Sequence, residues 1–136
     1  NEDDKFLRIK IRKLINQLTQ NGLDFKKFKL TLENLYKSNQ TIEFYIKKNI
    51  KDNSVFLNQK KSIILSENFL NQPDEIVFRS FSELIHKLGN KKKYTRGSKI
   101  LNLIRSINLS ENFKKKTLSG CTFEKLNKSI IISQER

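Results

Sequence analysis

The apolar residues near the start of the chain recur at helical spacing and predict a helix from Asn1 to Leu18. They fall on one stripe, formed by Leu7, Ile11, Leu14, Ile15 and Leu18,. Acidic residues at positions 2–4 suit the positive end of the helix dipole, and Asn21-Gly22 supplies a helix end,. We therefore expect the stripe to face a hydrophobic core. Phe6 and Ile9 lie off the stripe, which predicts an interdomain contact on a second side,.

A second apolar stripe predicts a longer helix that runs to about Lys48. Asp24 is the predicted N-cap, and the stripe consists of Phe25, Phe28, Leu32, Leu35, Tyr36, Ile42 and Ile46,. Because a connection of three residues, 21–23, separates the two patterns, we expect the helices to turn back and pack as a hairpin,.

The remaining pattern predicts two helices and a terminal hairpin. Residues 55–57 and 62–65 are apolar runs around a polar stretch, typical of either a small β-hairpin or an extended crossing loop,. Apolar residues recur at helical spacing from Pro73 to Gly89, and again from Gly97 or Ser98 to Ile107, so each segment is predicted to be a helix,. Strands are predicted near 117–125 and 129–133,. The predicted fold class is mainly α, a helical domain with a C-terminal β-hairpin and, as an option, a short extended pair near 55–65.

Composition adds a strong positive charge to this picture. A length of 136 residues is typical of one domain, and the chain carries a formal net charge of +14,. Such a charge favours a polyanionic partner, and RNA is our preferred interpretation. Because 22 of the 28 basic residues are lysine, a biased composition accounts for part of the charge. No apolar run is long enough to span a membrane and Cys121 is the single cysteine, so we expect a cytoplasmic protein with no membrane partner,.

The sequence offers no set of residues for catalysis within this chain. It has one histidine and one cysteine, and it lacks a glycine-rich phosphate loop and metal-ligand spacing,. We expect His86 to be a packing or surface residue and Cys121 a small core residue. Metal sites and cofactors are therefore not expected here.

Three basic groups are the candidate RNA-binding residues. Arg8 and Arg12 lie one helical turn apart, where guanidinium groups can hold a phosphate or a carboxylate in bidentate fashion,. The second group is a lysine run followed by an aromatic ring and an arginine: Lys91, Lys92, Lys93, Tyr94 and Arg96. The third group is a lysine run alone: Lys114, Lys115 and Lys116. Lysines would supply phosphate contacts and Tyr94 a stacking ring, although each lysine run alone is more often a solvated surface.

Two short motifs resemble tRNA(Ile)-lysidine synthetases. Residues 1–12, NEDDKFLRIKIR, are similar to the segment that leaves the family's ATP-binding domain and opens a connecting helix. Residues 117–121, TLSGC, with the hairpin that ends near Glu135, are similar to the family's T-L-G-G-C strand and terminal hairpin. Ser119 stands where the family usually has glycine, which puts the geometry of that turn in doubt.

The resemblance implies a tRNA-binding portion of a larger enzyme. Residues 1–22 would be the connecting helix after an ATP-binding domain, and residues 23–136 a helical tRNA-binding C-terminal domain. The parent enzyme would use ATP and Mg²⁺ to attach lysine to the wobble cytidine of CAU-anticodon tRNA(Ile). Its S-G-G-x-D-S motif is absent from this sequence, so the chain alone is predicted to be inactive. Arg8 and Arg12 would face the active site.

The expected partners are tRNA and the ATP-binding domain, which would cover Phe6 and Ile9. Self-association through the first helix would cover the same residues. The alternatives are a free-standing basic helical module that binds nucleic acid, and a protein-interaction domain whose charge is incidental.

Overall fold

The structure, a computed structural model, describes residues 2–57, 61–89 and 94–135, with side chains from residue 5 onward. The predicted fold class is confirmed: helices dominate and a C-terminal hairpin follows them. The elements in chain order are α1 (Glu2–Gln20), α2 (Phe25–Asn53), β1 (Ser54–Leu57), β2 (Ser62–Leu65), α3 (Glu67–Leu70), α4 (Asp74–Gly89), α5 (Gly97–Leu109), β3 (Lys116–Leu118), β4 (Cys121–Leu126) and β5 (Ser129–Gln134).

The chain divides into two compact units. Unit 1 is Asn1–Thr41 and unit 2 is Ile42–Arg136, so the division falls inside α2. The predicted division of roles at residue 22 stays a prediction. None of the described helices is long and apolar enough to cross a membrane.

The predicted cap signals at the end of α1 and at the start of α2 are confirmed, whereas α2 runs to Asn53, beyond the predicted end near Lys48. At the end of α1, Gly22 has a φ of 97°, and the amide of Leu23 donates to the carbonyl oxygen of Leu18 at 2.9 Å. This is a Schellman motif, which glycine permits because it has no Cβ. At the start of α2, the Asp24 carboxylate accepts hydrogen bonds from the amides of Lys26 and Lys27 at 3.0 and 3.1 Å, as an N-cap does,.

The apolar stripes of unit 1 do not form the core that their periodicity predicts. None of the described side chains from residue 5 to residue 41 is buried. The stripe positions Leu7, Ile11, Leu14 and Leu18 are as exposed as the off-stripe Ile9. The prediction of a core face on α1 is therefore wrong, and so is the predicted packing of α1 against α2, because the stripe of α2 is buried only at Ile46, which belongs to unit 2. Periodicity shows that a helix is amphipathic, but it does not show what covers the apolar side.

Unit 2 is built on a five-stranded antiparallel sheet in the order β1-β2-β5-β4-β3. The extended pair near 55–65 is the hairpin β1–β2, in which Val55 pairs with Ile64. That hairpin joins the C-terminal strands because Ile63 pairs with Ile132. The strand predicted near 117–125 is instead two strands, since the chain reverses between Leu118 and Cys121.

One face of the sheet carries the hydrophobic core. Alternate strand residues bury their side chains against α4, α5 and the short helix α3, as period-two packing requires. The fully buried large side chains include Phe69, Phe81 and Phe123, and the rings of Phe69 and Phe81 meet edge to face with centroids 5.5 Å apart. The predicted inward position of Cys121 is confirmed, since its side chain is fully buried.

A polar network fixes the end of α2 within this core. Asn49 is 3% exposed, and its amide donates to the carbonyl oxygen of Phe69 and the hydroxyl of Ser80, both at 3.3 Å. The side-chain oxygen Oδ1 of Asn49 accepts a hydrogen bond from the side-chain amide Nδ2 of Asn53 at 2.9 Å. The buried amide is therefore satisfied on both sides, which avoids the penalty of an unpaired polar group.

Candidate nucleic-acid interface

Several loops meet at the end of the sheet where α4 stops. The amide of Gln134 donates to the carbonyl oxygen of Lys61 at 3.0 Å, and the amide of Glu135 donates to that of Gly120 at 2.8 Å. Gly89, the last residue of α4, lies so close to the carbonyl oxygen of Ser119 that a Cβ would overlap it. This end of unit 2 therefore brings together α4, the start of β2, the end of β5 and the β3–β4 turn.

The β3–β4 turn holds the segment that leads into α5. Ser119 and Gly120 have φ values of 54° and 79°, as in a type I′ turn,. The hydroxyl of Thr95 donates to that of Ser119 at 2.5 Å. Ser119 therefore does what a glycine at this position could not do, because its hydroxyl ties the 94–96 segment to the sheet.

Tyr94 is a large exposed ring on this segment, as predicted for a stacking residue. The side chain is 75% exposed, and one face of its ring stacks on His86 with centroids 4.2 Å apart and an interplanar angle of 11°. The stack presents one further aromatic face to solvent. His86 is thus a surface residue, as expected, but it also holds the tyrosine ring in place.

A cleft of about 340 Å³ borders this stack. Its polar lining includes Glu43, Glu83 and Arg79, so it mixes two carboxylates with one guanidinium. The amide and amino hydrogens of a nucleobase can donate to carboxylates of this kind. Its charges suit the edge of a base better than a phosphate.

The two predicted basic groups of unit 2 are linked through this turn. Thr95 contacts Ser119, and Lys116 lies three residues before Ser119, roughly 10 Å along an extended chain,. Arg96 is exposed immediately beside Thr95. The structure therefore brings Tyr94 and Arg96 near the edge strand that begins with Lys116.

The lysines at 114–116 differ in their surroundings. Lys115 forms an ion pair with Glu124 at 2.6 Å, which neutralises it locally. The ammonium of Lys116 lies 5.9 Å from the ring centroid of Phe113, and Lys114 is exposed. Within the described part of unit 2, neither Lys114 nor Lys116 pairs with a carboxylate, so both can contact phosphates.

A second cleft, missed by sequence reasoning, lies beside α4 at the same end of the sheet. It measures about 320 Å³, and its lining includes Phe56, Lys61, Lys87 and Gln134. The ammonium of Lys87 lies 4.6 Å from the ring centroid of Phe56, a cation–π contact,. Neither lysine pairs with a carboxylate among the described residues, so the cleft combines two positive charges with an aromatic ring.

The other predicted site residues belong to unit 1 or lie outside the described residues. Arg8 and Arg12 are exposed on α1 in unit 1, as are Phe6 and Ile9. Their active-site and interdomain roles stay predictions. Lys91, Lys92 and Lys93 lie outside the described residues.

Some basic residues have structural partners instead. Lys125 donates to the carbonyl oxygens of Ile107 and Ser110 at 3.1 and 3.3 Å, and so caps the C-terminus of α5,. Lys128 pairs with Glu67 at 3.2 Å. These contacts explain why the charge of the chain is not evenly available for binding.

The ATP and Mg²⁺ that the resemblance implies for a parent enzyme stay a prediction about that enzyme. No group of three His, Cys, Asp or Glu side chains that could hold a metal occurs within residues 5–57, 61–89 and 94–135. No glycine-rich phosphate loop occurs in the sequence,. We therefore assign no reaction step to this chain.

Comparisons of the chain with protein-family models, with curated proteins and with solved structures found no match. The resemblance to tRNA(Ile)-lysidine synthetases thus stays a likeness of short motifs at the two ends of the chain.

Proposed function

We propose that unit 2 binds an unpaired base of an RNA loop on the ring of Tyr94. The supporting observation is the stack of Tyr94 on His86, which leaves one aromatic face open beside Arg96. Sequence-specific RNA recognition mostly targets unstacked bases of loops, which stack on aromatic rings. Lys114 and Lys116, in the segment that leads to the turn, would supply phosphate contacts, and the cleft of Phe56, Lys61 and Lys87 would supply others.

We further propose tRNA as the RNA and an ATP-dependent lysidine-forming ligase as its setting. The chain would hold the tRNA, while ATP activation and lysine attachment would take place on another part of the enzyme. The TLSGC motif supports this step, because it forms the turn that anchors the Tyr94 segment. Arg8 and Arg12 on α1 would then contact tRNA or active-site carboxylates.

Binding of labelled tRNA(Ile) with a CAU anticodon tests the first proposal. Fluorescence anisotropy should detect binding that weakens about 20- to 100-fold between 50 and 200 mM salt, as expected for three or four phosphate contacts. A duplex DNA of the same length is the matched competitor. Stronger binding to the DNA would support a free-standing DNA-binding module instead, and an affinity independent of salt would contradict the phosphate contacts.

Lysine incorporation into the same tRNA tests the second proposal. In the natural protein that carries this chain, Arg8→Ala together with Arg12→Ala should lower incorporation while tRNA affinity changes little. Robust incorporation with the purified chain alone would overturn the division of labour proposed here. Unchanged incorporation by the double variant would remove both arginines from the site.

A further inference from the structure

The apolar side of α1 has the spacing of a coiled-coil seam. Leu7, Ile11, Leu14 and Leu18 are separated by four, three and four residues. In a helix, this alternation forms the narrow seam of a and d positions that packs against a partner helix. Each of these four side chains is about half exposed, so the seam lacks its partner in unit 1.

The first half of α2 continues the same repeat. Phe25, Phe28, Leu32 and Leu35 follow a spacing of three, four and three, and they are between 45% and 60% exposed. After a polar position at Asn39, the repeat resumes at Ile42 and reaches Ile46, which is buried in unit 2. The same pattern therefore packs against neighbouring elements at one end of α2 and is uncovered at the other.

The regular spacing of the seam distinguishes the partners that could cover it. RNA phosphates can pair with lysines but cannot bury a row of leucine and phenylalanine side chains. A bilayer takes up apolar side chains at any spacing, whereas an alternation of three and four residues is typical of helix-to-helix packing; the exposed Phe6, Ile9 and Leu30 lie outside this alternation,. A partner helix therefore suits the seam best.

The charges beside the seam favour a partner of opposite sign. The charged residues at the e and g positions between Leu7 and Leu18 on α1 and between Phe25 and Leu35 on α2 are Arg8, Lys10 and Lys29,. Unit 1 as a whole has nine lysines and arginines against five acidic residues, of which Glu2, Asp3 and Asp4 precede the seam. A second copy of the chain would place like charges across the seam, which opposes pairing.

We propose that unit 1 docks an acidic helical protein partner. The partner's own apolar a and d side chains fill the seam, and its glutamate or aspartate side chains at e and g pair with Arg8, Lys10 and Lys29. The proposal uses side chains of unit 1 and shares none with the Tyr94 site proposed for unit 2. It shares Arg8 with the proposed ligase setting, but that proposal is read out by lysine incorporation and this one by peptide binding, so the proposals can fail independently.

Titration of the full chain with synthetic helical peptides tests the proposal. The probe is a peptide of about four heptads with Leu at every a and d position and Glu at every e and g position. The first control peptide has Lys at e and g. The second has the composition of the probe but with its leucines moved off the repeat, so that it retains the charge and loses the seam. Calorimetry should show binding of the probe at least about tenfold tighter than of either control.

Variants of the chain locate the contact. Leu14→Ser and Leu32→Ser should each weaken binding of the probe by at least about tenfold, whereas Leu109→Ser should leave it within about twofold. Leu109 is a matched control because it is a leucine of unit 2 that is 85% exposed. The triple change Arg8→Glu, Lys10→Glu and Lys29→Glu should reverse the preference from the Glu peptide to the Lys peptide, a readout that a loss of helicity would not produce.

Three outcomes would overturn the proposal. Equal binding of the probe and of the control with displaced leucines would show that charge alone explains binding. A dimer in sedimentation experiments that Leu14→Ser dissociates would show that a second copy covers the seam. Tighter binding of the chain, through its seam leucines, to vesicles of phosphatidylcholine and phosphatidylglycerol than to the probe would show that a membrane surface covers it.

Discussion

Replacing Tyr94 with alanine should weaken RNA binding by the free energy of stacking one base on the tyrosine ring. One face of the Tyr94 ring lies on His86, so a single face remains for a nucleobase. Stacking of one base on an aromatic side chain contributes about 1–3 kcal/mol, which corresponds to about a 5- to 150-fold loss of affinity. Tyr94→Phe should retain most of the affinity, because the ring and its stack remain.

The matched control is Tyr36→Ala, which removes a tyrosine of unit 1 that is 66% exposed. Fluorescence anisotropy with a labelled single-stranded RNA and with an RNA duplex separates stacking from phosphate contacts. Tyr94→Ala should weaken binding of the single strand much more than binding of the duplex, since paired bases are not free to stack on the protein. The slope of affinity against salt should not change, because no phosphate contact is lost.

Two results would refute this reasoning. An equal loss for Tyr94→Ala and Tyr36→Ala would show that the effect is general to exposed aromatic rings. A loss for Tyr94→Ala that is as large with the duplex as with the single strand would show that Tyr94 does not stack on an unpaired base.

Three further predictions test individual contacts. Lys87→Ala should weaken RNA binding and reduce the salt slope by about one phosphate contact, whereas Lys48→Ala, which removes a lysine paired with a carboxylate, should have a smaller effect in the same anisotropy assay,. Gly89→Ala should lower the free energy of unfolding by about 1–2 kcal/mol in urea titrations, because the new Cβ would overlap the Ser119 carbonyl oxygen and this outweighs the gain in helix propensity,. Asp24→Ala should cost α2 about 0.5–2 kcal/mol of helix stability, seen as faster hydrogen exchange at the two amides that its carboxylate caps,.

Local signals in the sequence were sufficient to predict most elements of the fold. The four long helices follow from apolar periodicity, and Asp24 and Gly22 mark helix ends because their capping chemistry is local. The pairing of β2 with β5 could not be predicted in this way, since Ile63 and Ile132 are far apart in the sequence and neither strand specifies its partner. The turn at Ser119 was not predicted because strand-forming residues lie on both sides of it.

The candidate site was predicted in part for the same reason. Tyr94 and Arg96 were identified because they lie together in a basic stretch of the sequence. The cleft beside α4 was missed because Phe56, Lys61 and Lys87 come from three separate segments. On α1, the sequence correctly indicated an amphipathic helix, but the apolar stripe alone could not specify whether the cover comes from this chain or from another protein.

The buried amide of Asn49 limits how α2 can align with the rest of the protein. A repeat of three and four residues looks alike after every seven residues, about 10.5 Å along the helix, wherever its residues are all apolar. A slide of that length would bring Ile42 to the place of Asn49 and Asn39 to the place of the buried Ile46, and it would leave the Phe69 carbonyl and the Ser80 hydroxyl without their donor,. The two asparagines thus select one alignment out of several, and a protein with both Asn39→Leu and Asn49→Leu, although more apolar, should populate more than one packing, visible as doubled NMR signals from α4.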